Sequence, residues 1–263
     1  MNIVRIGIKQ RRVLWELALN DVRARFSSSV LGAAWTILQP LVNMIVIWGV
    51  FQLGFKTANL NGDIPFIVWY MPAFLIWNYF QEAFSQSANS VIEYSYLVKK
   101  VNFSVEIIPM IKVLSNAIIH VFFIGFIVVV NLCYGRYPNL YNLQCIYYFI
   151  CISTLTLGLG FLTAGITPFV TDVGNLVAII LQTGFWATPI FWDPSSLTDT
   201  AMRFMRLNPM FYICTGYRNC FVYGVPFYKD MGGMVYFWLL TIFVWIIGTK
   251  VFRKSKQQFD DVL

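Results

Sequence analysis

Residues 31–53 read LGAAWTILQPLVNMIVIWGVFQL, without one ionisable side chain. A helix rising 1.5 Å per residue needs roughly 20 such residues to cross about 30 Å of hydrocarbon. Working outward for the same apolar character predicts five more crossings, at 64–84, 107–134, 143–169, 173–192 and 231–250. All six are expected to be helices, because a helix satisfies its own backbone polar groups in lipid. The 263-residue composition agrees: 58% of residues are hydrophobic and 12% charged, against roughly 25% charged in a soluble domain. An ordinary soluble enzyme is excluded, and a multi-pass membrane protein is the class implied.

Basic residues set the sidedness. Arg5, Lys9, Arg11, Arg12, Arg23 and Arg25 precede the first span, while Lys250, Arg253, Lys254 and Lys256 follow the last. The excess of Lys and Arg predicts that both ends are cytoplasmic. Lys99 and Lys100 fall in the loop after the second span, whereas the loops assigned outside carry only Lys56 and Arg136. The net charge of +7 is thus topological, and because no single basic face forms, nucleic acid is not an expected partner. Met1–Ser29 is charged and amphipathic with no continuous apolar core, so no cleavable signal peptide is expected there.

Asn208–Val225 is apolar enough to pass for a seventh span despite Arg218, but a seventh crossing inverts the C-terminus and exports four basic residues. A helix that enters and returns on the outer side is predicted instead, with Asn208 as N-cap, Pro209 at the first helical position, and Gly224 and Pro226 ending it. The outer re-entrant region as a whole is assigned to 193–230. Five cysteines, an odd number without a CxxC spacing, suggest free thiols; Cys133 and Cys145 flank an outer loop and are the pair that a bridge would join.

The spans read as nearly bare of charge, with His120 the exception, and a lone polar residue on a membrane helix is more often an interhelical hydrogen-bonding group than a proton relay. Asp172 falls in a short turn between the fourth and fifth spans. No G-x-x-x-x-G-K-[ST] phosphate loop is present, so the chain is not expected to hydrolyse ATP by that route. Two segments look like contact surfaces for a separate motor. Trp15, Ala18, Leu19, Val22 and Phe26 recur at helical spacing opposite Glu16, Asn20 and Arg23, with Asp21 and Arg25 placed to pair, which describes an interface helix or a plain membrane anchor. In residues 87–101, Val91, Tyr94, Val98 and Val101 share a face beside Lys99 and Lys100, as in a short cytoplasmic helix. Trp69, Tyr70, Trp77, Tyr79, Phe80, Trp186, Phe191 and Trp192 gather near span ends, as an interfacial belt or as a stacking surface for sugars.

Four blocks in order carry a resemblance. NDVRARFSSSVLGAAWTILQPL contributes Asp21, Arg25, Phe26, Leu31, Gly32, Trp35, Gln39 and Pro40; FLIWNYFQEAFSQSANSVIEYSYLVKKVNF contributes Trp77, Tyr79, Phe80, Ser90, Lys100, Val101 and Phe103. LQTGFWATPIFW contributes Gln182, Phe185, Trp186, Thr188, Pro189 and Ile190, and LNPMFYICTGYRNCF contributes Asn208, Pro209, Met210, Tyr217 and Arg218. Over about residues 13–254 the sequence resembles the type-2 ABC exporter permeases for lipid-linked polysaccharides, the exporters of O-antigen, capsule and teichoic acid. It departs from the pattern at Asn20, Thr171 and Ser104.

The resemblance implies an all-α integral membrane fold of six transmembrane helices, with an N-terminal amphipathic interface helix (1–29), a permease domain (30–253) and a cytoplasmic tail (254–263). It implies a homodimer in the bacterial inner membrane with two copies of an ATP-binding subunit, which would hold ATP and Mg, no cofactor being held by this chain. The cargo implied is a glycan on a polyprenyl diphosphate. Coupling to the ATPase would fall to Asp21, Arg23, Arg25, Glu93, Tyr94, Lys99, Lys100 and Asp172. The glycan passage would fall to Trp35, Tyr70, Trp77, Tyr79, Phe185, Trp186, Phe191, Tyr217 and Arg218. No catalytic or metal-binding residues are implied; the rival reading as a membrane-embedded lipid-linked sugar transferase needs a carboxylate pair or a metal motif, and neither is visible.

Overall fold

A computed structural model describes residues 3–25, 32–54, 59–60, 64–99 and 103–262. Of the positions named above, Met1, Phe26, Ser29, Leu31, Lys56, Lys100 and Val101 lie outside the described residues. In chain order the α-helices are α1 (Ile3–Lys9), α2 (Arg11–Ala24), α3 (Trp35–Gly49), α4 (Phe66–Glu93), α5 (Ser95–Val98), α6 (Ile107–Cys133), α7 (Gln144–Ile166), α8 (Asp172–Ala187), α9 (Asp199–Met205), α10 (Pro209–Arg218), α11 (Met231–Ser255) and α12 (Phe259–Val262). A two-residue antiparallel pair, Asn59–Leu60 with Ile64–Pro65, is the one sheet among the described residues.

Among the described residues, four helical stretches are long and apolar enough to cross a membrane: Trp35–Gly54, Ile107–Cys133, Leu140–Ile166 and Met231–Gln258. The chain is an all-α, multi-pass membrane protein. The other two expected spans differ from expectation for physical reasons. Helix α4 has 28 residues, ample for a crossing, but carries Asn78, Gln81, Glu82 and Ser85 from about its midpoint onward. Helix α8 has 16 residues and ends at Ala187 because Thr188 turns extended, leaving roughly 24 Å at 1.5 Å per residue where 173–192 was expected to be helical throughout. Residues 87–93, expected in a separate loop helix, are the last two turns of α4; the break comes at Tyr94, and only Ser95–Val98 forms the short helix.

Helix α4 is the axis of the bundle and packs on α6, α7, α8 and α10. From Val68 to Trp77 it is buried on every side, as an evenly apolar helix must be. Beside it, α7 and α11 form a tight seam: a Cβ on Gly248 would strike the Gly158 carbonyl oxygen, and one on Gly165 would come within 3.0 Å of the Phe252 backbone. Small residues let membrane helices approach backbone to backbone, where dispersion rather than hydrophobicity holds them.

The expected punctuation of 208–226 is present. The Asn208 side chain accepts a hydrogen bond from the Met210 amide, Pro209 opens α10, the helix continues as a wider π turn through Asn219–Tyr223, and Gly224 at φ 64° ends it. At the end of the bundle where the termini gather, Ile6, Ala18, Val91, Tyr94, Val98, Phe161, Phe252 and Phe259 form a second core. The C-terminal segment is therefore docked, with Phe259 between Phe252 and Phe169 and Lys256 paired to Glu106 at 2.8 Å.

Candidate functional site

Helix α2 docks on α6 through Leu14, Leu17, Ala18 and Asp21, spaced i, i+3, i+4 and i+7. This corrects the expected stripe: Trp15 is 49% exposed, and among the described residues of the predicted apolar face only Ala18 is fully buried. The helix is rotated so that Asp21 meets a charge on α6, and that contact turns Trp15 outward. The partner is Lys112, an unpredicted residue with 2% exposure, and it contradicts the reading of spans nearly bare of charge. Glu82, half-buried in α4, contradicts it too.

Lys112 Nζ donates to Asp21 Oδ1 and to Glu93 Oε1, both at 2.6 Å. Arg25 holds the other carboxylate oxygen of Asp21 through Nη2 and Nε, at 2.7 and 3.1 Å. Its guanidinium also donates to Ser115 Oγ at 2.6 Å and Asn116 Oδ1 at 3.0 Å. The Tyr94 hydroxyl donates to Asp21 Oδ1 at 2.8 Å, and the Lys112 ammonium lies 5.0 Å from the Tyr94 ring centre. Two anions and two cations thus neutralise each other between α2, the end of α4 and α6. Burial raises the Asp21 carboxyl pKa, but Arg25 and Lys112 outweigh it and hold it at about 2. Burial and the neighbouring Asp21 charge push the Tyr94 hydroxyl upward, so it remains a donor.

Of the predicted coupling residues, Asp21, Arg25, Glu93 and Tyr94 converge here, and the structure joins them through Lys112. Arg23 and Lys99 are exposed, and Asp172 sits exposed in the first turn of α8; none of the three belongs to the network. The missed residues carried a signal in sequence. Lys112, Ser115, Asn116 and His120 recur at i, i+3, i+4 and i+8 along an otherwise apolar helix, which is a polar stripe at helical period.

The passage candidates divide. Tyr70, Trp77, Tyr79, Phe191, Tyr217 and Arg218 are buried within the subunit, Tyr79 and Trp77 also lining cavities beside α4. Arg218 stacks 3.6 Å from the Trp69 ring centre and donates to the carbonyls of Trp69 and Ile190, tying α10 to the start of α4 and the segment after α8. Tyr79 shares a hydrogen bond with Ser153 at 2.7 Å, and His120 Nε2 one with the Tyr217 hydroxyl at 3.0 Å. His120, packed against the Tyr79 and Phe149 rings, is an interhelical group. Trp35 and Trp186 are exposed by 43% and 64%, and Phe185 is half-buried. All five cysteines are free.

A cavity of about 130 Å³ opens between α3, α4 and α6, lined among others by Gln39, Asn43, Asn78, Gln81, Glu82 and Asn116, with Arg25 at one end. Helix α3 closes it loosely, since only Pro40 and Met44 of that helix are buried.

Residues 12–222, which carry the network, the cavity and α10, match the family described as "ABC-2 type transporter". The chain belongs to the ABC-2 type transporter family. Similar proteins include an "O-antigen export system permease protein RfbA" of Myxococcus xanthus, 27% identical over 84% of each chain. Another of that name, from Klebsiella pneumoniae, is 24% identical over 92% of each. The "Polysialic acid transport protein KpsM" of Escherichia coli is 20% identical over 97% of this chain and 98% of its own. Membership of the ABC-2 family implies a partner that binds ATP.

Proposed function

We propose that this chain is the transmembrane subunit of an ATP-driven exporter that moves a polysaccharide, built on a polyprenyl diphosphate, from the cytoplasmic to the outer face of the bacterial inner membrane. The observation that carries the reading is the likeness to O-antigen export permeases along nearly the whole chain. The likeness to KpsM supports capsule export as the second reading.

In this proposal α4 and α8 complete six crossings, residues 193–230 re-enter from outside, and both termini are cytoplasmic. Residues 1–29 form the interface segment, 30–253 the permease and 254–263 the tail. Two copies flank the passage, and two ATP-binding subunits hold ATP and Mg. Trp35, Phe185 and Trp186 are the passage candidates with exposed or half-exposed side chains, the other six, Arg218 among them, being buried within the subunit. Residues 87–101 receive the motor's stroke through the exposed Ile92, Glu93, Tyr96 and Lys99, while Tyr94 faces inward and passes it to Asp21. Closure of the motor must favour one arrangement of this junction over another, since an equilibrium moves only through unequal contacts with its two states.

Depletion of the chain is expected to leave a carrier-linked saccharide inside the cell, identified by mass spectrometry of the lipid extract; a normal lipid-linked pool overturns the reading. Tyr94→Phe in the intact complex is expected to lower export per ATP hydrolysed. Unchanged export per ATP removes Tyr94 from the coupling path.

A further inference from the structure

Asn78, Gln81, Glu82 and Ser85 occupy i, i+3, i+4 and i+7 of α4, halfway along a helix whose preceding turns are wholly apolar. Gln39 and Asn43 meet this stripe from α3 and Asn116 meets it from α6, around the same cavity. Gln39, Asn43 and Asn78 make no side-chain hydrogen bond among the described residues. Carboxamides with two donors and two acceptor lone pairs are costly to leave unpaired at membrane depth, so a cleft that collects them is built for something that supplies hydroxyls. Gln39 and Asn43 are exposed and Asn78 and Gln81 half-buried, so the cleft has room for it, and Trp35 in its lining offers an apolar sugar face a ring to lie on.

The cleft is also wired to the junction below it. Gln86 Nε2 donates to Glu82 Oε2 at 3.0 Å, Asn116 Nδ2 donates to Gln86 Oε1 at 3.0 Å, and Arg25 Nη1 donates to Asn116 Oδ1 at 3.0 Å. From Arg25 the chain continues to Asp21 and Tyr94. Gln86, Asn116 and Arg25 each donate toward Glu82, and Arg25 and Tyr94 both donate to Asp21, so a ligand that draws Glu82 or Asn116 away breaks a continuous run ending at the coupling segment.

We propose that the carboxamide cleft between α3, α4 and α6 is a saccharide site, taking the hydroxyls of the cargo's sugars through Asn43, Asn78 and Gln81, and that Asn116 is the positioning residue linking its occupancy to Tyr94. The proposal rests on the export reading above.

The test uses cells carrying the full exporter, with Cys133 changed to Ser and Asn78→Cys introduced. N-ethylmaleimide labelling is compared with the carrier-linked saccharide pool intact and with that pool emptied by tunicamycin. Protection only while the pool is intact is expected; equal labelling in both conditions, or none in either, overturns the site. In parallel, Asn43→Leu with Asn78→Leu is expected to reduce export about tenfold or more at unchanged membrane abundance, because a site made to bond hydroxyls loses those bonds. Export at the unsubstituted rate overturns the site; if the double variant is missing from the membrane, the labelling result decides. Failure of the export reading is seen separately: depletion of the unsubstituted chain then leaves no trapped carrier-linked saccharide, whatever Asn78→Cys does.

Discussion

The molecule buries cationic charge in two regions and does so in opposite ways. At the junction of α2, α4 and α6, Lys112 and Arg25 are met by Asp21 and Glu93, with formal charges cancelling across three helices. At the far end of the bundle, Arg218 is held by two carbonyl oxygens and the face of Trp69. Neutral acceptors fixed by the backbone give one geometry, and a cation held that way is a rivet. Counter-charges on separate helices admit more than one pairing at similar energy, so that junction suits a part that moves. The difference separates the segment expected to transmit force from the segment expected to resist it.

The sharpest way to break this comparison is Lys112→Met. It leaves the buried Asp21 with a deficit of positive charge, and removing one member of a buried ionic group costs about 3–5 kcal/mol. A matching fall in thermal stability in detergent, with new protease sensitivity confined to α2, is the expected result; uniform sensitivity means the junction is not a separable unit. Next in size is Arg218→Met, which strands two carbonyl groups at about 1–3 kcal/mol each. Here α2 should stay protected while the segments around Ile190 and Trp69 loosen, as hydrogen exchange can resolve.

Acid offers a third, smaller test. The Asp21 carboxyl is held down at about 2, below its value in an unfolded chain near 3.8. Its contribution is therefore complete above about 3.8, and is lost as pH falls through about 2. Exchange protection of α2 should persist at pH 5 and fail across that window, with α10 unaffected by this group. The smallest effect belongs to Glu93→Gln. With that side chain 55% exposed, water already screens the pair, and a loss of about 0–1 kcal/mol is expected. A larger loss means that Glu93 is as essential to the junction as Asp21.

Much of the fold was legible because lipid demands it. Uninterrupted apolar length marks α3, α6, α7 and α11 directly, and Asn208, Pro209 and Gly224 mark the ends of the helix between them through backbone chemistry that needs no neighbour. The coupling cluster was legible in part: the i, i+4 pair Asp21–Arg25 can be read from spacing, and Tyr94 from its helical face. Lys112 was overlooked because one charge among apolar residues reads as the edge of a span until its counter-ion is known, and that counter-ion lies 91 positions away in sequence. The passage candidates were the least legible, since an aromatic at a span end looks the same whether it faces lipid, sugar or the interior.

Sequence alone determined that this protein lives in a membrane as a helical bundle, because hydropathy and helix caps act within a few turns of chain. Only the tertiary structure decided which face of α2 is buried, that six of nine passage candidates are buried within the subunit, and that carboxamides from three helices meet around one cleft. Those facts depend on helix rotation, which is set by where distant charges and glycines allow two surfaces to touch, and no local pattern fixes that angle.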